Sequence, residues 1–301
     1  MNALKVIIYF SIFKYPLTKE EVYSFSSSPN LQETERELET LLNKKIIFNL
    51  GDYYSDINDI ALVNRRLNGN KMAREIMPKA LKRAKLIMSF PYVESVCISG
   101  ALAKEYYDDD GDIDYFIITK PNKLWLARTF LILFKKLFLL NSNKYFCVNY
   151  FISSNHLKID EQNKFTATEL ITLKPIYGKK MFNNFVLENQ WVLDYYPNKI
   201  INTTSLKENF KKPIWSRSLE VVFNNKIGEK LDYYFKKITL NKWKSKFKNL
   251  KKKEFEVAMK STNDVSKHHP QNFQTRVIVS LNERYDDKNK AFNLNLTMEN
   301  A

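Results

Sequence analysis

From Leu4 to Phe13 apolar side chains follow one another almost without a break, which predicts a short helix buried on most of its faces, and Pro16 ends the connection after it. Thr18-Lys19-Glu20-Glu21 has the spacing of a capping box and opens a second helix through Phe25. After the turn Ser26-Ser27-Ser28-Pro29-Asn30, the helical spacing of Leu38, Leu41 and Leu42 predicts a third helix from Leu31 to about Asn43. Ile46-Ile47-Phe48 and Tyr53-Tyr54 then flank a polar tip as a hairpin. Three helices and a hairpin within residues 1–59 outline a winged helix-turn-helix shape.

Residues 60–90 predict one long connecting helix, with an apolar stripe of Ala80, Ala84, Ile87 and Met88, stopped by Pro91. Val93 to Ser99 has the β-branched content of a strand. Gly100-Ala101 is a tight strand-to-helix junction, Ala101 to Tyr107 can form two helical turns, and Asp108-Asp109-Asp110-Gly111 is a turn. Asp112 to Thr119 reads as a second strand. Leu124 to Leu140 reads as a mostly buried helix, because Arg128, Lys135 and Lys136 interrupt a run that would otherwise approach bilayer-spanning length. Leu206 to Phe255 is expected to be helical, with Leu219, Val222, Phe223, Ile227, Leu231, Tyr234 and Phe235 turned inward, and the tail from 286 to 301 is expected to be mobile.

Composition narrows the function classes. The chain has 301 residues, 44% of them hydrophobic and 14% aromatic, enough for a sizeable core in about two domains. Lys and Arg outnumber Asp and Glu by 48 to 33, a formal charge of +15, which favours polyanionic partners without choosing among them. Cys97 and Cys147 have no disulfide or metal-site spacing, and Val6 to Phe13 lacks a cleavage site, so a cytoplasmic location without membrane attachment is expected. The charge is uneven. Residues 1–59 carry six basic and nine acidic side chains, and the third helix holds Glu33, Glu35, Glu37 and Glu39 against Arg36, so this unit is better suited to docking a protein or to a structural role than to reading DNA. Residues 60–90 carry eight basic side chains against Glu75.

The segment from Val93 to Thr119 concentrates the candidate chemistry. Residues two apart on a strand share a face, so Asp112 and Asp114 should project together while Ile113 enters the core. Two carboxylates so placed can share a hard divalent cation, and Mg²⁺ in turn carries nucleotide phosphates. The Gly100 junction allows close backbone approach and amide donation to a phosphate.

Ser99-Gly100-Ala101 followed by Gly111-Asp112-Ile113-Asp114 resembles the polymerase beta-like nucleotidyltransferase superfamily, whose pattern is Gly-Ser, a short helix and Asp-x-Asp on a strand. Further stretches, including Phe13-Lys14-Tyr15-Pro16-Leu17-Thr18, Leu124-Trp125-Leu126-Ala127-Arg128 and Thr166-Ala167-Thr168-Glu169-Leu170, are similar to an uncharacterised bacterial nucleotidyltransferase-like group with an N-terminal winged-helix-like unit. The resemblance implies an α+β fold: a small mixed sheet over residues 91–200 flanked by helices, preceded by the unit at 1–59 and the helix at 60–90, and followed by a helical part at 201–285. It implies that Asp112 and Asp114 hold Mg²⁺ or Mn²⁺, and that the Ser99-Gly100-Ala101 junction holds the nucleoside triphosphate through Gly100; Lys104, on the helix after Gly100, either reaches the triphosphate or is an exposed lysine.

Two departures stand out. Ala101 replaces the hydroxyl residue of the pattern, and the third carboxylate expected on a following strand has Asn149 as its only polar inward counterpart in Tyr145 to Ile152. An amide cannot serve as a general base. Glu169 is a candidate replacement. Two function classes therefore stay open: an enzyme moving a nucleoside monophosphate to a hydroxyl or amine, and a degenerate nucleotide-sensing or protein-docking module, with a transcription regulator third. His156, His268 and His269 form no spaced pair. Asn241 to Lys253, with seven lysines around Trp243 and Phe247, is either a surface helix anchored by two aromatics or a surface for RNA or another polyanion.

Overall fold

In the computed structural model, which describes residues 1–142, 144–201 and 210–300, the capping box at Thr18 forms as its spacing demands. The Thr18 hydroxyl accepts from the Glu21 N–H at 3.3 Å, and the Glu21 carboxylate accepts from the Thr18 N–H at 2.8 Å. Helices α1 (Asn2–Ser11), α2 (Lys19–Ser24) and α3 (Leu31–Asn43) precede the hairpin β1 (Phe48–Asn49) and β2 (Tyr54–Ser55). The acids of α3 are used internally: Glu37 accepts from the N–H groups of Asn2 and Ala3 at 3.2 and 3.1 Å, capping α1, and Glu35 pairs with Lys19 at 2.6 Å.

Helix α4 (Ala61–Met88) buries Ala80, Ala84, Ile87 and Met88 along the stripe read from their spacing. Its first turns bind the N-terminal unit. The Arg66 guanidinium, almost fully buried, makes a two-pronged pair with Glu21 at 2.6 and 2.7 Å and lies 4.5 Å from the ring centres of both Tyr15 and Tyr53.

The chain then builds β3 (Val93–Ser99), α5 (Gly100–Ala103), β4 (Asp114–Thr119), α6 (Leu124–Phe138), β5 (Cys147–Ser153), α7 (Lys164–Ile171), β6 (Lys174–Tyr177), α8 (Lys179–Glu188) and α9 (Val192–Tyr195). It finishes with α10 (Ile214–Phe223), α11 (Lys226–Lys246), α12 (Lys252–Ala258), β7 (Val265–Lys267) and α13 (Phe273–Phe292). Five strands form one mixed sheet in the order β6-β3-β4-β5-β7. β4 and β5 are parallel and joined through α6, while the other pairings are antiparallel. Side chains of β4 and the residue before it alternate: Ile113, Tyr115 and Ile117 pack with α4 and α6, and Phe116 and Ile118 pack with Phe182 and Phe185 of α8. The Tyr115 hydroxyl donates to the Ala80 carbonyl at 3.0 Å, fixing α4 across the sheet.

The fold is therefore α+β around a mixed sheet, as expected, with several differences in detail. Helix α5 stops at Ala103 instead of reaching Tyr107, because Glu105 takes a positive φ of 61° and the Tyr107 N–H bonds the Gly69 carbonyl of α4 at 3.1 Å. β4 begins at Asp114, so Asp112 lies in the approach to the strand. The short edge strands β6 and β7 carried too few residues to be read from alternation. The expected helix from Leu206 breaks into α10, α11 and α12, and its start at 206–209 lies outside the described residues. Val222, Ile227 and Tyr234 are 58–64% exposed and do not face inward, since that end of α10 and α11 lies on the surface. Helix α13 continues past 286 to Phe292. Leu296 beyond it is buried, with the Asn289 side chain bonded to its N–H and carbonyl at 2.8 and 3.0 Å. Val277, Leu281 and Tyr285 of α13 share one core with α1 and α2, so the two ends of the chain pack together. Among the described residues no helix is long and apolar enough to cross a membrane.

Candidate active site

Ser99 and Asp114 are register partners, so the end of β3 and the start of β4 lie side by side. Gly100 follows at φ +67°, a conformation other residues adopt only under strain. A β-carbon there would lie 2.6 Å from the Asp114 Oδ2, so both the backbone angle and the neighbouring carboxylate require glycine. The register between β4 and β5 passes from Tyr115↔Val148 to Phe116↔Tyr150, leaving Asn149 as the extra residue of a bulge. Its Nδ2 donates to the Asp114 Oδ1 at 2.8 Å. Asn149 thus orients the carboxylate.

Burial raises Asp114 to about 6, nearby Asp112 and Glu169 push it the same way, and hydrogen bonds from the Cys147 thiol and Asn149 oppose the rise. The Lys104 amine donates to the Glu169 carboxylate at 2.7 Å and to the Gly100 carbonyl at 3.1 Å. This places Glu169 of α7 at the junction, in the interior of its helix and not at the N-terminal turn.

These groups open into a cavity of about 960 Å³ bordered by Gly100, Ala101, Lys104, Asp114 and Glu169. Its opposite wall comes from α1, the connection after it, and α4. A recess of about 90 Å³ beside it is bordered by Ser99, Gly100, Asp114, Asn149, Glu169 and His269. The structure divides the expected pair of carboxylates. Asp114 reaches both spaces, whereas Asp112 is exposed, borders neither, and lies in the field of Lys135 and Lys144. The Tyr107 hydroxyl donates to the Gly111 carbonyl at 2.6 Å, tying off the turn just before Asp112.

The loop between α5 and β4 is bound to the N-terminal unit. The Asn70 amide donates to the Tyr15 hydroxyl at 3.1 Å and the Glu105 carbonyl at 2.6 Å, and a β-carbon on Gly69 would overlap the Tyr106 ring. The family models, curated proteins and solved structures with which the chain was compared contain no match to it.

Among the described residues no three His, Cys, Asp or Glu side chains are grouped to hold a metal ion by themselves. The donor set fits a Mg²⁺ that arrives with nucleotide phosphates supplying most of its shell, since Mg²⁺ commonly takes only one or two protein carboxylates in such complexes. His268 and His269 are lowered to about 4 and about 3, chiefly by burial, and are neutral at pH 7. The His269 Nε2 is buried with no hydrogen-bond partner. Its sequence neighbours, His268 and Pro270, gave no hint that it borders the recess. Trp243 is buried against Trp125, Arg128 and His268, and Phe247 is half-buried, while Lys242, Lys244, Lys246 and Lys248 are exposed. The lysine-rich stretch runs from the end of α11 across a turn to the start of α12, with Trp243 as its buried anchor.

Proposed function

We propose that the chain is a nucleotidyltransferase of the polymerase beta-like type, moving a nucleoside monophosphate from a nucleoside triphosphate to a hydroxyl or amine. The observation that carries this reading is the close approach of Gly100 to Asp114 at the edge of the large cavity. A side-chain-free backbone meets a raised carboxylate where a triphosphate and its cation need both. The sheet supports it, with antiparallel β3-β4, parallel β4-β5 and a strand–glycine–helix–strand order. Three helices and a hairpin support a winged-helix-like unit, and the internal use of the α3 acids favours a structural role for it.

When bound with the nucleotide, Mg²⁺ or Mn²⁺ would be held by Asp114, the one carboxylate of the pair that borders the cavity, and would neutralise charge on the phosphates. Ser99, Gly100 and Ala101 leave room for the phosphates, and Lys104 places its positive charge beside them. Asn149 holds Asp114 in orientation through its 2.8 Å bond. As the acceptor atom bonds to the α-phosphorus, the bridging P–O bond breaks and pyrophosphate leaves. Glu169, whose second oxygen is not engaged by Lys104, takes the acceptor proton in place of the third carboxylate.

The test is transfer of label from each of four α-labelled ribonucleotides, with pyrophosphate release, beside Asp112→Asn and Asp114→Asn. Transfer that disappears in Asp114→Asn supports the enzyme. The amide at Asn149 favours one second reading, a nucleotide sensor without catalysis. Metal-dependent nucleotide binding without any transfer would select it, and absence of both would refute the nucleotide assignment.

A further inference from the structure

Helices α10 and α11 carry an apolar surface that the core does not use. Ile214, Val221, Val222, Ile227, Tyr234 and Ile238 are between 46% and 78% exposed, while the inward sides of the same helices pack Phe223, Leu231 and Phe235 against Tyr92 and α6, and Trp243 against Trp125. Residues seven and eleven apart return to one side of a helix, so Ile227, Tyr234 and Ile238 form a single stripe about 16 Å long. In α10 the same spacing puts Ile214 and Val221 on the side away from the buried Ser216. The two stripes meet at the corner between the helices. There the Asn225 side chain donates to the Val222 carbonyl and accepts from the Ile227 N–H, both at 3.0 Å, and holds these two residues close together. None of these side chains borders the cavity or the recess at the candidate active site.

The charge around this face has one sign. Arg217, Lys226, Lys230 and Lys237 are exposed beside the apolar side chains, and none of the four is in an ion pair among the described residues. Residues 210–253 contain three acids. Glu220 pairs with Lys120 and Lys212, Asp232 is buried and accepts from the Leu126 N–H, and Glu229 alone is exposed. An exposed apolar patch rimmed by charge marks a surface that something covers, and here the cover has to be negatively charged as well as apolar.

A second copy of the chain would bring these cations against their own kind. RNA offers planar bases that stack on aromatic rings, and it gives isoleucine and valine no counterpart. An anionic lipid surface meets both demands: acyl chains receive the Ile and Val side chains, head-group phosphates receive Lys and Arg, and the exposed Tyr233 and Tyr234 set their rings at the boundary between the two. We propose that the α10–α11 face docks the chain reversibly on a membrane surface rich in anionic lipid. The expectation of no membrane attachment concerns spanning and targeting segments, and a contact that lies on the bilayer needs neither. The docking face is independent of the nucleotidyl transfer proposed above.

The experiment is co-sedimentation of the full chain with phosphatidylcholine vesicles, plain or with about 30% phosphatidylglycerol, at about 0.1 M and about 0.5 M salt. Vesicles with phosphatidylglycerol should bind at least about tenfold more tightly than plain ones, and the higher salt should remove most of that difference. The double variant Lys230→Gln/Lys237→Gln should weaken the binding about 25-fold, about fivefold for each cation. Ile227→Asn/Ile238→Asn should weaken it at least about tenfold. Leu187→Asn, at an exposed residue of α8 on the other side of the sheet, should change nothing, and circular dichroism checks that every variant keeps the fold.

Equal binding to both kinds of vesicle, no saturable binding to either, or no effect of the isoleucine pair would overturn the proposal. A concentration-dependent dimer in sedimentation equilibrium that the isoleucine pair abolishes, without vesicle binding, would assign the face to a second copy instead. Vesicle binding that responds only to the lysine pair and is competed by an RNA octamer would leave a polyanion surface and overturn the lipid assignment.

Discussion

Replacing Asp114 with Asn should make the unliganded protein more stable while removing its nucleotide binding. The carboxylate is raised from 3.8 to about 6, first by burial and then by Asp112 and Glu169. Between those values the folded state holds a proton that the unfolded chain has released, so wild-type stability falls as pH rises through this window and levels off above it. At about 1.4 kcal/mol per pH unit, the full loss attributable to Asp114 is about 3 kcal/mol. Asn carries no charge and so escapes that loss, but it forgoes the stronger hydrogen bonds that the carboxylate accepts from Cys147 and Asn149. A net gain of about 1–2 kcal/mol at pH 7.5 follows, or a rise in Tm of about 2–5 °C. Urea unfolding of both proteins from pH 4 to 8 measures it. Asp232 is also raised to about 6, so the quantity to read is the difference between the two curves, from which the Asp232 contribution cancels. The difference should shrink as pH falls and change sign toward pH 4, where the wild type regains most of the loss and is the more stable by about 1 kcal/mol. A variant less stable than wild type at pH 7.5, or parallel pH profiles, would refute this account of the Asp114 environment.

Gly100→Ala forces a β-carbon to within 2.6 Å of the Asp114 carboxylate at φ +67° and should cost about 1–3 kcal/mol together with nucleotide binding; unchanged stability in urea would contradict the geometry. Arg66→Ala leaves Glu21 without its partner and removes a cation from between two tyrosine rings, so a loss of about 3 kcal/mol is expected, with faster proteolysis within residues 1–59. Arg66→Lys, which cannot reproduce the two-pronged contact, should recover only part of it. Asp232 accepts from the Leu126 N–H at 2.7 Å and caps α6; Asp232→Ala should lower stability by about 1–2 kcal/mol, and a neutral result in thermal melts would show that the cap is dispensable.

Local signals in the sequence were enough wherever neighbours in the chain settle the outcome. The capping box at Thr18, the span of α3, the buried stripe of α4 and the strand from Val93 to Ser99 each follow from periodicity or from contacts three or four residues apart. Gly100 and Asp114 were legible because a tight junction and an acidic strand entry leave a compact pattern. Other features depend on chain segments far apart in sequence. The length of α5 is decided by Gly69, the separation of Asp112 from Asp114 by where β4 starts to pair, and the partnership of Lys104 with Glu169 by the packing of α7. The strands β6 and β7 exist because the sheet edges accept them, and the chain after α13 meets that helix again through Asn282, bonded to the Glu299 N–H and carbonyl, and Asn289, bonded to Leu296. The sequence by itself determined α1 to α4, α6, the central strands and the glycine–carboxylate junction, since these need only local hydrogen bonds and alternating burial. Only the tertiary structure decided that the N-terminal unit faces this junction across a basic cavity, because burial and charge pairing between distant residues are set by packing and leave no periodic trace in the chain.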